Sequence, residues 1–453
     1  MKTMMNKNDI KSSIKYYSIT ISLLCSVSVT FGQQKTWSLQ ECVNHALEHN
    51  ISVQQGVNTI LINEQDIIAS RGQFLPSLSA SAAHNITIGG LEIDPGVFVD
   101  QTFNQSRVGI SVSQNIFNGF RTLNLYKQSQ LTKETNALEL DRIKDDISLN
   151  VVNAYLNVLF NRENLETALA QFEFSEKQLK QVTNLVDAGV QPRANIYDAE
   201  ATLSRDEQSV TIAENNLNLA LLNLSQLLQV PYEGFAVEGI DLNEPSEALL
   251  YKDFKPILNY ALENRVEIKV AEKGIENAEL NTEISKSGYF PTLNFTYGYS
   301  SRASYTNLTD LEASFFDQIN DNKGHSFGLN LNIPIFSRFQ NKTAVAKSKI
   351  QEDNSRLNLA QQKLNIESNI QRTFTDAQAA FRAFEAAKKS LEAQELAFNN
   401  SKERFNLGAM TAFELEQARV ALINAQSSLI NAKYDFVFKT KVLDFYMGKS
   451  LTN

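Results

Sequence analysis

Apolar positions in this chain keep two rhythms, and each rhythm occurs in two places. Leu78, Ala80, Ala82, His84, Ile86 and Ile88 alternate with Ser79, Ser81, Ala83, Asn85 and Thr87, and Val108, Ile110, Val112 and Ile116 alternate with Gly109, Ser111, Ser113 and Asn115. Further on, Leu293, Phe295, Tyr297 and Tyr299 alternate with Asn294, Thr296, Gly298 and Ser300, and Phe327, Leu329, Leu331, Ile333 and Ile335 alternate with Gly328, Asn330 and Asn332. A period of two predicts four strands, each with one apolar and one small or polar face, over about residues 75–89, 106–118, 290–301 and 325–336. Each is about ten residues long, the reach of a tilted strand across a bilayer.

After each strand pair the period lengthens. Ile370, Phe374, Ala377, Phe381, Phe384, Leu391 and Phe398 step by threes and fours, as do Leu165, Leu169, Phe172, Leu179, Val182 and Val186, which is the seam of a coiled coil. No Pro or Gly interrupts residues 121–186 or 341–406, so each stretch predicts one helix about 100 Å long at 1.5 Å per residue. Gly189 and Gly408 then supply the left-handed residue that a helix C-terminus favours, and returning helices follow over 193–228 and 412–446. Pro192 is suited to the first turn of the first returning helix. Ahead of the strands, Ser38 and Glu41 form a capping box that opens a single helix running to about Arg71.

The rhythms recur because the chain is written twice. Asn44, Ala46, Leu47 and Glu48 match Asn259, Ala261, Leu262 and Glu263, 215 positions on, and FLPSL at Phe74–Leu78 matches YFPTL at Tyr289–Leu293 at the same offset. VGISVSQNIF at Val108–Phe117 pairs with FGLNLNIPIF at Phe327–Phe336, and VDAGVQPRANIYDAEATL at Val186–Leu203 with FNLGAMTAFELEQARVAL at Phe405–Leu422, both 219 apart. The organisation predicted is a first repeat over 33–230 with its helical hairpin at about 120–229, a linker over 231–255, and a second repeat over 256–451 with its hairpin at about 340–447.

Composition narrows the setting. With 42 basic against 51 acidic side chains the net charge is −9, which argues against nucleic acid as a partner. Residues 1–32 carry Lys2, Lys7, Lys11 and Lys15 before a short apolar run, the form of a secretory signal peptide. Cys25 raises a lipoprotein alternative, against which Leu24 stands where a small residue is wanted. Cys42 is then the only thiol, so no disulfide forms within the chain. No later stretch is apolar for long enough to be a membrane helix.

Aromatics gather where the strands meet the helices: Phe74, Phe117 and Phe120 in the first repeat, and Tyr289, Phe290, Phe336 and Phe339 in the second. At one level they make a membrane-interface girdle, as in outer-membrane barrels; the bland reading is a hydrophobic plug under a soluble sheet. Strands in lipid must close, because an open edge leaves backbone groups unpaired. Four strands are too few, two chains give a barrel filled by side chains, and three leave room for water. The pattern therefore argues for an oligomer, and a pore favours three chains.

The ordered set ALEHN/ALENR, FLPSL/YFPTL, IFNGF/IFSRF and the twin glycine tips resembles the TolC family of outer-membrane efflux proteins, over about Trp37 to Leu451. The resemblance implies a mainly α fold with membrane β structure: a duplicated helix–β-hairpin–long helical hairpin unit, assembled as a homotrimer with a 12-stranded β-barrel in outer-membrane lipid. An α-helical barrel would continue it through the periplasm. It implies a passive exit duct of a tripartite efflux pump or type I secretion system, with a periplasmic adaptor protein meeting the hairpin tips around Gly189, Arg193, Gly408 and Thr411. An inner-membrane transporter would supply the energy. Two acidic positions that narrow the periplasmic entrance in some members fall on Glu414 and Gln417, and in the first repeat on Asn195 and Asp198. Three Glu414 and three Asp198 would then line it, favouring cations. Where some members hold the entrance shut with an arginine, Met410 stands here, with Arg193 a substitute from the other hairpin.

No enzyme chemistry or cofactor is implied. His45 and His49 are four apart on a helix, but no third ligand accompanies them, and no phosphate loop or nucleophile–base pair has local support. The competing readings are a periplasmic coiled-coil adaptor, which would have one hairpin, and a soluble scaffold. Residues 89–105 and 301–325 are expected as irregular loops facing the exterior.

Overall fold

The structure, a computed structural model, describes residues 36–239, 251–309, 313–449 and 451. The signal peptide expected over 1–32, with Cys25, lies outside the described residues, as do parts of the expected linker and of the second outer loop. The elements run β1 (Thr36–Trp37), α1 (Leu39–His49), α2 (Ile51–Gly72), β2 (Ser77–Asp94), β3 (Val97–Asn118), α3 (Arg121–Asp187), α4 (Ala194–Leu228), β4 (Ala236–Val237), α5 (Lys255–Asn264), α6 (Val266–Lys286), β5 (Thr292–Thr306), α7 (Phe315–Asp321), β6 (Gly324–Asn332), α8 (Gln340–Asn406) and α9 (Ala412–Tyr446). They fall into two compact units, one made of residues 1–44 and 154–241, the other of 45–153 and 242–453. Among the described residues no helix is long and apolar enough to cross a membrane.

In the first unit β1 and β4 pair in parallel, Thr36 with Ala236 and Trp37 with Val237. β4 lies in the stretch read from sequence as linker. The fully buried Tyr155 of α3 donates its hydroxyl to the carbonyls of Glu238 (2.7 Å) and Trp37 (3.2 Å), and the Arg162 guanidinium donates to that of Val237 (2.7 Å). Side chains of α3 thus satisfy carbonyls that two-residue strands leave open. Along the hairpin of α3 and α4 the seam position Val182 is buried, but Leu169 is 45% exposed and its neighbour Ala168 is buried instead. The Ser175 hydroxyl donates to the buried Asp206 across the two helices.

The expected single helix from Ser38 to Arg71 is two. The capping box is present, with Glu41 accepting from the Ser38 N–H at 3.0 Å, but the backbone turns extended at Asn50, whose side chain then caps α2 by accepting from the Ser52 N–H. Arg265 makes the same break between α5 and α6. It is buried, pairs with Glu267 (2.9 Å) and Asp145 (3.2 Å), and lies 4.0 Å over the Phe445 ring. Below it Ile257, Ala261, Ile268, Ile366, Ile370, Ala377 and Leu443 form an apolar core. The seam of α8 packs on α9, with Phe384 buried and Phe381 5.3 Å from the buried Phe436.

The four long strands form one antiparallel sheet in the order β2-β3-β5-β6. They depart from the expected bounds in three ways. β2 and β3 have 18 and 22 residues, because residues 89–105, expected as irregular, continue the ladder to a tight turn. Gly96 holds a φ of 82° there and donates its N–H to Glu92. β6 stops at Asn332, leaving Ile333 and Ile335 outside it, because Pro334 has no N–H for the ladder. Between β5 and β6 the seven-residue α7 takes the place of a paired strand: Gln318 accepts from the Ser304 N–H (2.8 Å) and Asn322 donates to the Arg302 carbonyl (2.9 Å).

Candidate functional site

The sheet has two chemically opposite faces, because directly paired residues point to the same side. Leu78–Val112, Ala80–Ile110, Ile110–Tyr299, Val112–Tyr297, Tyr297–Phe327 and Phe295–Leu329 put the apolar positions of all four strands on one face. Leu78, Ile88 and Phe327 on that face are each more than 70% exposed. So broad an exposed apolar surface marks contact with lipid or another chain rather than water. The other face carries Ser77–Ser113, Ser79–Ser111, Ser111–Gly298, Thr296–Gly328 and Gly298–Ser326. Its outer part holds Arg107 directly opposite Arg302, a pair that only counting along the continued ladder reveals. β2 and β6 bound the sheet with rims that, among the described residues, no other strand pairs.

The junction aromatics form separate groups. Phe117, Phe120 and Phe290 make edge contacts at 5.4 and 6.4 Å, Phe336 and Phe339 at 5.8 Å, and Phe74 meets Tyr126 at 6.1 Å. Tyr289 is exposed, and Tyr126 was not singled out from sequence. Phe117 stands opposite Leu293, on the apolar face, because a bulge between Asn115 and Phe117 re-aims it. In both repeats the sheet passes into the long helix through two consecutive left-handed residues, Gly119 and Phe120 (φ 66° and 64°), then Arg338 and Phe339 (φ 49° and 64°).

At the first tip Gly189 has a φ of 72°, and Val190 donates its N–H to the Leu185 carbonyl at 2.9 Å. At the second, Gly408 has a φ of 71°, and Ala409 donates to Arg404 at 2.8 Å. Both are Schellman closures, which satisfy carbonyls at the helix end. The tips then differ. Thr411 caps α9 in a full capping box, with Glu414 accepting from the Thr411 N–H (2.9 Å) and hydroxyl (2.8 Å). These bonds hold the Glu414 carboxyl below the usual carboxylate range. Arg193 precedes α4 with no side-chain cap, and Pro192 lies before it rather than in the first turn. Asn195 donates to the Gln191 side chain (3.2 Å), and Arg193, Asp198 and Gln417 are exposed. Thr-Ala-Phe-Glu at 411–414 is the sequence signature of this box.

His45 and His49 stack at 4.1 Å, and among the described residues no group of three or more His, Cys, Asp or Glu is placed to hold a metal.

The outer membrane efflux protein family model matches residues 42–229 and 257–449, both repeats. The chain belongs to this family. It is 20% identical to the outer membrane protein TolC of Vibrio cholerae over 84% of each chain. It is 21% identical to the outer membrane efflux protein BepC of Brucella suis, over 94% of this chain and 88% of that one. The CmeC outer membrane channel of Campylobacter jejuni superposes with a TM-score of 0.75 over 90% of this chain and 85% of its own, at 16% identity. The outer membrane protein VceC of Vibrio cholerae gives 0.73 over 91% and 96%. As an outer membrane efflux protein the chain resides in the outer membrane and serves transport, which sets aside the periplasmic adaptor and soluble scaffold.

Proposed function

We propose that three copies of this efflux protein join their sheets, β6 of each against β2 of the next, into one 12-stranded barrel, with the apolar face toward lipid and the polar face around an aqueous lumen. The two unpaired rims of an otherwise lipid-compatible sheet carry this reading. In hydrocarbon every unpaired backbone group costs several kcal/mol, so the rims require partners. Eight strands would enclose a lumen filled by side chains, whereas twelve leave room for water. The long hairpins would continue the tube through the periplasm. The junction aromatics Phe74, Phe117, Phe120, Tyr289, Phe290, Phe336 and Phe339 would sit at the inner membrane–water boundary, which rings of this kind favour.

In this reading the chain is the passive exit duct of a tripartite pump or type I secretion system. A periplasmic adaptor engages the tips at Gly189, Arg193, Gly408 and Thr411, and an inner-membrane transporter drives cargo. Glu414, Gln417, Asn195 and Asp198 border the periplasmic entrance. Purification in detergent followed by native mass measurement and bilayer recording tests it. Three chains per particle with stepwise conductance are expected; a water-soluble monomer would overturn it.

A further inference from the structure

Among the residues of the four paired strands, the polar face of the sheet carries two charges below the β2–β3 turn, and both are positive. The register sets Arg107 of β3 directly opposite Arg302 of β5, with Ala83 beside Arg107. Glu92 and Asp100 belong to the other side by the alternation of the ladder, since Gly90 pairs with Asp100 and Glu92 with Phe98, while Asp94, re-aimed by the bulge onto the side of Val97, lies at the turn, eleven residues (94 − 83) along β2 from the Ala83 that pairs with Arg107. Like charges directly opposite one another destabilise a sheet, so the pair is a cost to folding that no acid among its ladder neighbours offsets. The neighbours are small or uncharged: Gly109 faces Ser300, and Gln105 faces Ser304. Both arginines are exposed, and the backbone beneath Arg302 is held by α7 through Asn322 on its carbonyl and Gln318 on the Ser304 N–H.

We propose that Arg107 and Arg302 form an anion-selecting collar in the outer part of the duct, which binds passing solutes through carboxylate, sulfate or phosphate groups. The inference rests on the closed tube proposed above, in which the polar face is the lumen and threefold repetition sets six guanidinium groups at one level. Arg302 lies ten residues beyond Thr292 (302 − 292), about 33 Å along the strand from its helical end. The collar is therefore an exit filter, distinct from the carboxylates at the periplasmic tips. Guanidinium suits this task, because it stays charged at every working pH and its planar fork matches a carboxylate or phosphate two bonds at a time. Rings of arginine are a known means of favouring anions in pores. The cargo class favoured is then anionic.

The full mature chain, reconstituted in planar bilayers under a potassium chloride gradient, reads this directly as a reversal potential. Against the wild type, Arg107→Gln with Arg302→Gln should lower the chloride-to-potassium permeability ratio by about tenfold, the lower end of what charge-lined clefts do to local ion concentration. Inorganic pyrophosphate added from the outer side should block the wild-type current and spare the double variant. Arg107→Lys with Arg302→Lys should keep the selectivity and lose part of the block, since it preserves charge without the fork. Arg302→Glu, which supplies Arg107 with an opposite charge and so favours folding, should lower the ratio as well. Conducting variants with an unchanged permeability ratio would overturn the collar alone. A wild-type protein that never conducts would remove the closed tube and the collar with it.

Discussion

Asn50 and Arg265 break matching helices with the same backbone, 215 positions apart, at φ −61° and ψ 131° in one and φ −64° and ψ 137° in the other. Both are buried, yet they settle the break differently: Asn50 caps the next helix, whereas Arg265 enters a set of acids and rings. Burial pushes the Asp145 carboxyl up despite its ion pair with Arg265, and it also opposes charge on Glu267, where the Arg265 hydrogen bonds, a backbone N–H and the charges of Arg265 and Arg142 together outweigh it and hold the carboxyl down.

The two breaks should therefore differ in cost. Asn50→Ala removes one cap and should cost about 1 kcal/mol. Arg265→Ala leaves Asp145 and Glu267 partly buried without a cation and should cost about 3 kcal/mol, the lower end for a broken buried pair because Asp145 still reaches water. Urea denaturation of the detergent-solubilised protein, followed by helical circular dichroism, compares them; equal costs would contradict this assignment.

Gly119 and Arg338 hold equivalent left-handed junction positions with opposite tolerance. A Cβ on Gly119 would stand 2.8 Å from both the Phe290 Cβ and the Ser287 carbonyl, so Gly119→Ala should markedly lower the amount of folded protein in the outer membrane. Arg338→Gly relieves a φ of 49° and should be neutral or stabilising, by up to about 1 kcal/mol. Thermal melting and membrane yield check both.

The Glu414 carboxyl should titrate below an ordinary glutamate. Its folded-state pKa is depressed, so its contribution to the second tip is present above the ordinary glutamate pKa and is lost as pH falls through the depressed value. A carbon-13 carboxyl titration of the labelled protein measures the midpoint. Thr411→Val removes the hydroxyl bond and should raise it; an unchanged midpoint would show that the box does not tune this acid.

Proline at both tips should uncouple assembly from transport. Its φ near −65° is incompatible with 72° at Gly189 and 71° at Gly408, while the sheet and its rims are untouched. Gly189→Pro with Gly408→Pro should leave the three-chain particle intact and abolish efflux from cells. Normal efflux in that variant would count against the tips as the docking end.

Elements whose cause is local could be read from sequence. Serine alternating with Leu78, Ala80 and Ala82 from Ser77 announced β2, and Gly189 and Gly408 announced the ends of helices whose length needed only the absence of Pro and Gly. Elements whose cause is distant could not. Asn50 and Arg265 fit a helical pattern by themselves, and Arg265 breaks it where Asp145 and Phe445 are waiting. The early end of β6 was signalled by Pro334, but the apolar Ile333 and Ile335 masked it. Arg107 falls inside the strand expected over 106–118 and Arg302 one residue past the strand expected over 290–301, so the face they share emerges only from a pairing 195 residues apart (302 − 107).

The two rims of the sheet are unequal, with 18 residues in β2 and 9 in β6. In a ring of identical copies each seam joins a tall stave to a low one, and the surplus of β2 rises clear of its neighbour like a merlon on a battlement. In the proposed ring the seam would end where β6 ends, so substitutions in the crest around Gly96 should leave assembly alone. In that proposed ring the crest would be tied only to its own hairpin, with more freedom to vary than the staves below it.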